Sequence, residues 1–247
     1  MSPKIFRLLS GLAIVLLLID GCKKSSDLKP GVDLNGVFLP STSLDLSAVQ
    51  MYTINGQVNN QDIIKSFIIN HKISDNFIVG TQSIPYPTSD LKINFKNNTS
   101  ATTNNPYTYN NVNSDSSKYT IKQKSNSGFI LEAVDTINAL ENGNDRLGVL
   151  IQNANKINGF GNCIALPSTT QYDGFYSCSY RNIIPFVMKN GDVYMSFLAL
   201  GIVSNNGLYQ SNEFVSTTGI FNPDITKQLT DRDTLIVQSK LLLFTMQ

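Results

Sequence analysis

Val193-Tyr-Met-Ser-Phe-Leu-Ala-Leu-Gly-Ile-Val203 and Thr234-Leu-Ile-Val-Gln-Ser-Lys-Leu-Leu-Leu-Phe244 are two long β-like runs, and they decide the class of the chain. Neither holds a proline, and both are rich in residues that fit a pleated surface. Working outward, Leu91-Lys92-Ile93-Asn94-Phe95 alternates apolar and polar residues, the pattern of a half-buried strand. Val49 to Ile54 has strand character and ends in the turn signal Asn55-Gly56. Phe77-Ile78-Val79, Tyr119 to Lys124, Phe129 to Val134 and Cys163 to Leu166 add shorter strands, the last stopped by Pro167. Asn97 to Ser117 is polar and reads as a long exposed loop.

Helical spacing occurs in two places. Ile63, Ile64, Phe67, Ile68 and His71 share one face behind the capping candidate Asn60, so a short helix is expected over Asn60 to Asn70. Leu147, Leu150, Ile151 and Ala154 predict a second. The expected class is therefore α+β and β-rich: an antiparallel twisted sheet with one or two short helices. The alternative is an all-β sandwich or barrel.

Composition removes several functions. The net charge is +1, which gives no electrostatic case for nucleic acid. Hydrophobic residues make up 41% of the chain, ample for a packed core. No Gly-x-Ser-x-Gly elbow, His-Glu-x-x-His pair or phosphate-cradling glycine loop is present. The single histidine, His71, closes a helical face and reads as a packed or solvent-facing residue. No metal site and no cofactor is expected. Paired-carboxylate chemistry could draw on Asp173, Asp192, Asp231, Asp233 or Glu213, but no spacing selects a pair.

The N-terminus carries the most specific signal. Lys4 and Arg7 precede an apolar run from Leu8 to Ile19 that is short for a bilayer span of about 20 residues. Ile19-Asp20-Gly21-Cys22 then resembles a lipobox, and Cys22-Lys-Lys-Ser-Ser26 resembles the start of lipoproteins from Bacteroidetes-type bacteria. The resemblance implies a signal peptide over residues 1–21, lipidation of Cys22 and a tether over 22–45. It also implies a lipid-anchored place in the cell envelope, at the outer membrane on its periplasmic or surface face. Cys163 and Cys178 remain. In an oxidising compartment they would form a disulfide worth about 3 kcal/mol; the alternative is two buried thiols.

Several segments, in order, resemble FKBP-type peptidyl-prolyl isomerases. Gly80 to Lys96 ends Pro-Thr-Ser-Asp-Leu-Lys-Ile-Asn-Phe-Lys, similar to the family's opening strand, with Phe95 where the family has tyrosine. Ser114-Asp115-Ser-Ser117 resembles its Phe-Asp-Ser-Ser. Phe129-Ile-Leu-Glu-Ala-Val134 resembles the pocket strand, and Ile137-Asn-Ala-Leu140-Glu-Asn-Gly143 resembles the short helix that follows, with Leu140 in place of tryptophan. Ile164-Ala-Leu-Pro-Ser168, Tyr172, Gly174 and Ile183-Ile-Pro185 resemble its Ile-Pro-Ser…Tyr-Gly and Ile-Pro segments.

The resemblance implies a peptide pocket lined by Phe95, Phe129, Val134, Leu140, Tyr172 and Ile184, with Asp115 as the polar contact. Proline-containing peptide segments would be the ligands. The expected organisation is a strand and helix over 46–74, an FKBP-like core over 75–203 and a C-terminal β extension over 204–247. The family's last strand falls on either Val193 to Leu200 or Thr234 to Leu242. The implied function is a prolyl isomerase or a peptide-binding descendant of one. The alternative is a non-enzymatic binding or accessory lipoprotein.

Overall fold

The computed structural model describes residues 33–73, 77–86, 91–104, 117–142, 145–156, 160–166, 175–205 and 210–247. The two long runs become β13 (Asp192–Asn205) and β15 (Asp233–Met246). They pair antiparallel along almost their full length, from Val193↔Phe244 to Ser204↔Asp233. Every other part of the sheet is organised around this pair.

Its first half belongs to a closed antiparallel barrel of eight strands. From β13 the wall runs through β12 (Ile183–Lys189), β8 (Gly128–Ala133), β7 (Ser117–Ser125), β6 (Ser100–Thr103), β5 (Ile93–Lys96) and β1 (Gly36–Leu46) to β15, which returns to β13. The short β4 (Ser83–Pro85) lies beside the end of β1. The second half of the pair carries β14 (Gln210–Thr218) on one side, and β2 (Gln50–Thr53) with its hairpin partner β3 (Gly56–Val58) on the other.

The apolar continuity of Leu198 to Val203 follows from burial on both faces. Leu198, Leu200, Ile202, Leu235 and Val237 pack under the second helix, α2 (Arg146–Ala154), and a 3₁₀ turn over Pro223–Gln228. Ala199, Ile236 and Met51 on the opposite face pack under α1 (Gln61–Asn70) through Ile64 and Ile68, and under Phe77. Gly201 is glycine for want of space, because a Cβ there would lie 2.7 Å from the Phe214 ring and 3.1 Å from the Phe77 ring.

The barrel interior is filled by rings. Phe95 meets Phe38 edge-on with centroids 5.1 Å apart, and Phe129 stacks on Phe186 at 4.8 Å. Phe186 also meets Phe244 at 5.9 Å. All five are at most 3% exposed. Aromatic pairs of these geometries add about 0.5–1.5 kcal/mol each beyond their burial.

Residues 134–182 are inserted between β8 and β12, which are neighbours in the wall. This insertion holds α2 and a separate sheet of β10 (Phe160–Ala165), β11 (Phe175–Tyr180) and β9 (Ile137–Asn142), in that order. Arg181 and Glu132 close its base with an ion pair at 2.8 Å.

The β-rich class holds, and of the two architectures expected the barrel is the one formed, not an FKBP-like twisted sheet. The two runs that competed to be the last strand pair with each other, and that pairing closes the wall. The boundary expected at 203/204 falls inside β13, and the segment 204–247 supplies the wall strand β15.

Both helices start where their caps stand. Asn60 Oδ1 accepts from the backbone N–H groups of Asp62 (2.9 Å) and Ile63 (3.3 Å), and the Asp145 carboxylate accepts from that of Leu147. Phe77–Val79 is not a strand. The buried Gln238 side chain accepts from the Ile78 N–H (3.0 Å) and donates to the Ile78 carbonyl (2.8 Å), doing the work of a neighbouring strand. The loop expected over Asn97 to Ser117 begins as a tight turn into β6, while 105–116 lie outside the described residues.

Candidate functional site

Three residues of the resemblance-based pocket lie inside the barrel wall. Phe95, Phe129 and Ile184 are at most 2% exposed, and the Phe95 and Phe129 rings meet at 5.7 Å. Val134, just past β8, is 50% exposed. Leu140 lies on β9 opposite Ser177 in the inserted sheet. Asp115, Tyr172 and Cys22 fall outside the described residues. The structure thus brings Phe95 and Phe129 together in a closed core and places Leu140 in a different sheet.

Cys163 and Cys178 are direct partners in the register of β10 and β11, and Cys178 is 2% exposed. His71 ends α1, its ring stacked on Phe67 at 3.9 Å and its Nδ1 2.8 Å from the Phe67 carbonyl. Of the carboxylates weighed for acid–base work, Asp173 lies outside the described residues and Asp233 is buried in an ion pair with Arg146. Asp192, Asp231 and Glu213 are exposed. Among the described residues, no group of three or more histidine, cysteine or acidic side chains could hold a metal ion.

A concave site lies instead on the outer face of the barrel wall: a cleft of about 390 Å³, within the range of roughly 300–1,000 Å³ common for ligand sites. Its floor is Tyr194 and Ser196 of β13, Val187 of β12 and Leu241 of β15. Strand pairing sets this array, with Val187 opposite Tyr194, Ser196 opposite Leu241 and Asp45 opposite Leu241 on its other side. Asp45 therefore stands at one rim. Lys189 stands at the other, at the end of β12, where a two-residue turn of Asn190 (φ 57°) and Gly191 (φ 93°) reverses the chain.

Ile220 and Phe221 roof the cleft. They are held from two directions. The Ser196 hydroxyl donates to the Gly219 carbonyl (2.8 Å), while the Gly219 N–H donates to the Ser196 carbonyl (3.1 Å). Asn155, at the end of α2, donates to the Thr218 carbonyl and accepts from the Ile220 N–H. A Cβ on Gly219 would lie 2.6 Å from the Asn155 side chain, so this lock requires glycine. The Phe221 ring leans on Tyr52 with centroids 5.5 Å apart.

Tyr194 is the electrostatic centre. Burial pushes its phenol above the ordinary value, and the charges of Asp192 and Asp45 raise it further, so it remains a neutral donor. The sequence held one legible trace of this site. Tyr194 and Ser196 are the polar-tipped residues at alternate positions in an otherwise apolar run, which marks a wall face turned from the core. The roof was not legible, since it depends on Asn155 meeting a segment 65 residues away.

No helix among the described residues is long and apolar enough to cross a membrane. No protein-family model, no curated protein and no solved structure matches the chain.

Proposed function

We propose that the chain is a lipid-anchored, non-enzymatic binding protein of the cell envelope that is held through Cys22 and presents the Tyr194 cleft to its ligand. One observation carries the binding half of this reading. The barrel interior is occupied by phenylalanine rings, so recognition falls to the outside wall, where acid, base, phenol and aromatic side chains converge on one concavity. The anchoring half rests on the lipobox-like Ile19-Asp20-Gly21-Cys22. Several acyl chains on one cysteine would make the attachment firm, since each buried methylene adds about 0.8 kcal/mol.

Mass spectrometry of the membrane-extracted protein tests the anchor. The expected mature chain begins at Cys22 and carries fatty acids. A chain that keeps Met1 and bears no lipid overturns the anchoring. The isomerase reading is tested by a proline-isomerisation assay on the body. No acceleration is expected, because Phe95, Phe129 and Ile184 are closed to solvent. A rate rising in proportion to protein concentration would restore that reading.

A Cys163–Cys178 disulfide belongs to the same proposal. Directly opposed residues of an antiparallel pair have Cα atoms about 4.5–5.5 Å apart, inside the range a disulfide accepts. A non-reducing peptide map should recover the two cysteines in one cross-linked species. Recovery of both as alkylated free thiols from protein of the oxidising compartment would refute the bond.

A further inference from the structure

The cleft carries more charge information than its shape alone. Asp45 is exposed and takes part in none of the three ion pairs among the described residues. Asp192 is also exposed and, with Asp45, acts on the Tyr194 hydroxyl. Lys189 is the only cation in the lining, and it sits opposite Asp192 in the hairpin register. Lys156, whose backbone N–H donates to the Ile220 carbonyl, is exposed and is not among the residues that line the cleft. Asp192 thus stands beside Lys189 at one rim, and Asp45 faces that pair from the other rim across a partly apolar floor.

We infer that this cleft takes the cationic side chain of a lysine or arginine in an extended peptide segment, its charge near the Tyr194 hydroxyl and within reach of Asp45. This rests on the binding reading above and names its ligand class. The aliphatic stem of such a side chain lies along Val187 and Leu241, as long cationic side chains do on apolar surface. The Tyr194 and Phe221 rings add cation–π attraction. The carboxylate at the Asp45 rim supplies a charge-assisted hydrogen bond. An anionic side chain in the same place meets the like charge of Asp45.

The test uses the body from residue 32, which forms one compact unit, isotope-labelled and titrated with three capped pentapeptides: Ala-Ala-Lys-Ala-Ala and its glutamate and glutamine counterparts. The backbone amides of Tyr194, Ser196 and Leu241 report. The lysine peptide should shift them saturably and more tightly than the other two. Asp45→Asn should weaken its binding about tenfold, a loss of about 1.4 kcal/mol, and Lys189→Gln should not weaken it. Unchanged amide shifts outside the cleft show that each variant is folded. If the glutamate or glutamine peptide binds the cleft as tightly as the lysine peptide, or if Asp45→Asn leaves affinity unchanged, the cationic assignment fails while the binding reading stands. If none of the three peptides shifts the cleft, both fail.

Discussion

Asp233→Asn should lower the unfolding free energy by about 1–3 kcal/mol, the cost of leaving buried hydrogen-bonding groups without their partners. Asp233 begins β15, and its side chain is fully buried. One carboxylate oxygen accepts from the Thr230 N–H (2.7 Å) and the Thr230 hydroxyl (2.8 Å), and the other accepts from Arg146 Nη1 (3.1 Å). Burial alone would push this carboxyl up. The hydrogen bonds from Arg146, from the Thr230 backbone and side chain, and from Ser204 outweigh it and hold the group far below the usual carboxylate range. An asparagine keeps the volume but turns one acceptor into a donor aimed at other donors. Because Arg146 opens α2, the loss frees the first turn of that helix from the start of β15, while Leu150, Ile151 and Ala154 stay packed on the sheet.

The same group gives a pH signature with a definite sign. A folded-state pKa held below the unfolded value means that the stabilisation is complete above the unfolded carboxyl range. It is lost as pH falls from about 4 toward the folded pKa. Urea midpoints taken from pH 7 down to pH 2 should converge for wild type and Asp233→Asn at the acid end. A gap that stays constant across that window would show that the carboxylate charge is not the source. Arg146→Ala should cost at least as much as Asp233→Asn, because it leaves the fully buried Asp233 carboxylate without its cation, with Thr230 satisfying only part of it.

Local rules made the elements legible and left their closure hidden. The cap at Asn60 and the Asn55-Gly56 turn are short-range chemistry, and each acts where its residues stand. The burial of Leu198 to Val203 on two faces was present as an unbroken apolar run. Whether β13 and β15 alternate as candidates for one edge or pair to close a wall is a long-range choice. It is fixed by twelve residue pairs along the two strands and by no single signal in either. The same applies to Gln238, polar in the middle of an apolar run and buried, whose partners lie on Ser47 and Ile78 far away in sequence. The candidate site failed to appear for a related reason. Its floor comes from three strands, and its roof comes from a segment fixed by α2. Phe95, Phe129 and Ile184 resembled a peptide pocket because they line a barrel core, and core packing and pocket lining both ask for phenylalanine and isoleucine at alternate positions.

Phe186→Ala should be the most damaging substitution in that core, with an expected loss of about 3–5 kcal/mol. The ring is 2% exposed and touches Phe129, Phe95 and Phe244, so its removal deletes ring contacts to three other wall strands at once. The neighbouring backbone cannot collapse into the space. Gly128 faces the Phe186 carbonyl so closely that even a Cβ there would lie 2.2 Å from the oxygen, and the β8–β12 ladder holds both strands in place. The variant should therefore retain an apolar void. Such voids stay dry and accept small apolar molecules. Benzene at about one hundred times its dissociation constant should then return about 2.7 kcal/mol, read as a rise in melting temperature that wild type does not share. A variant that loses stability without any benzene-dependent recovery would mean that the wall had closed over the gap, and that the barrel is filled by plasticity instead of by a rigid ring cluster. Either result bears on how a barrel of this size is kept from holding a ligand, since in this chain phenylalanine rings from β1, β5, β8, β12 and β15 fill the interior.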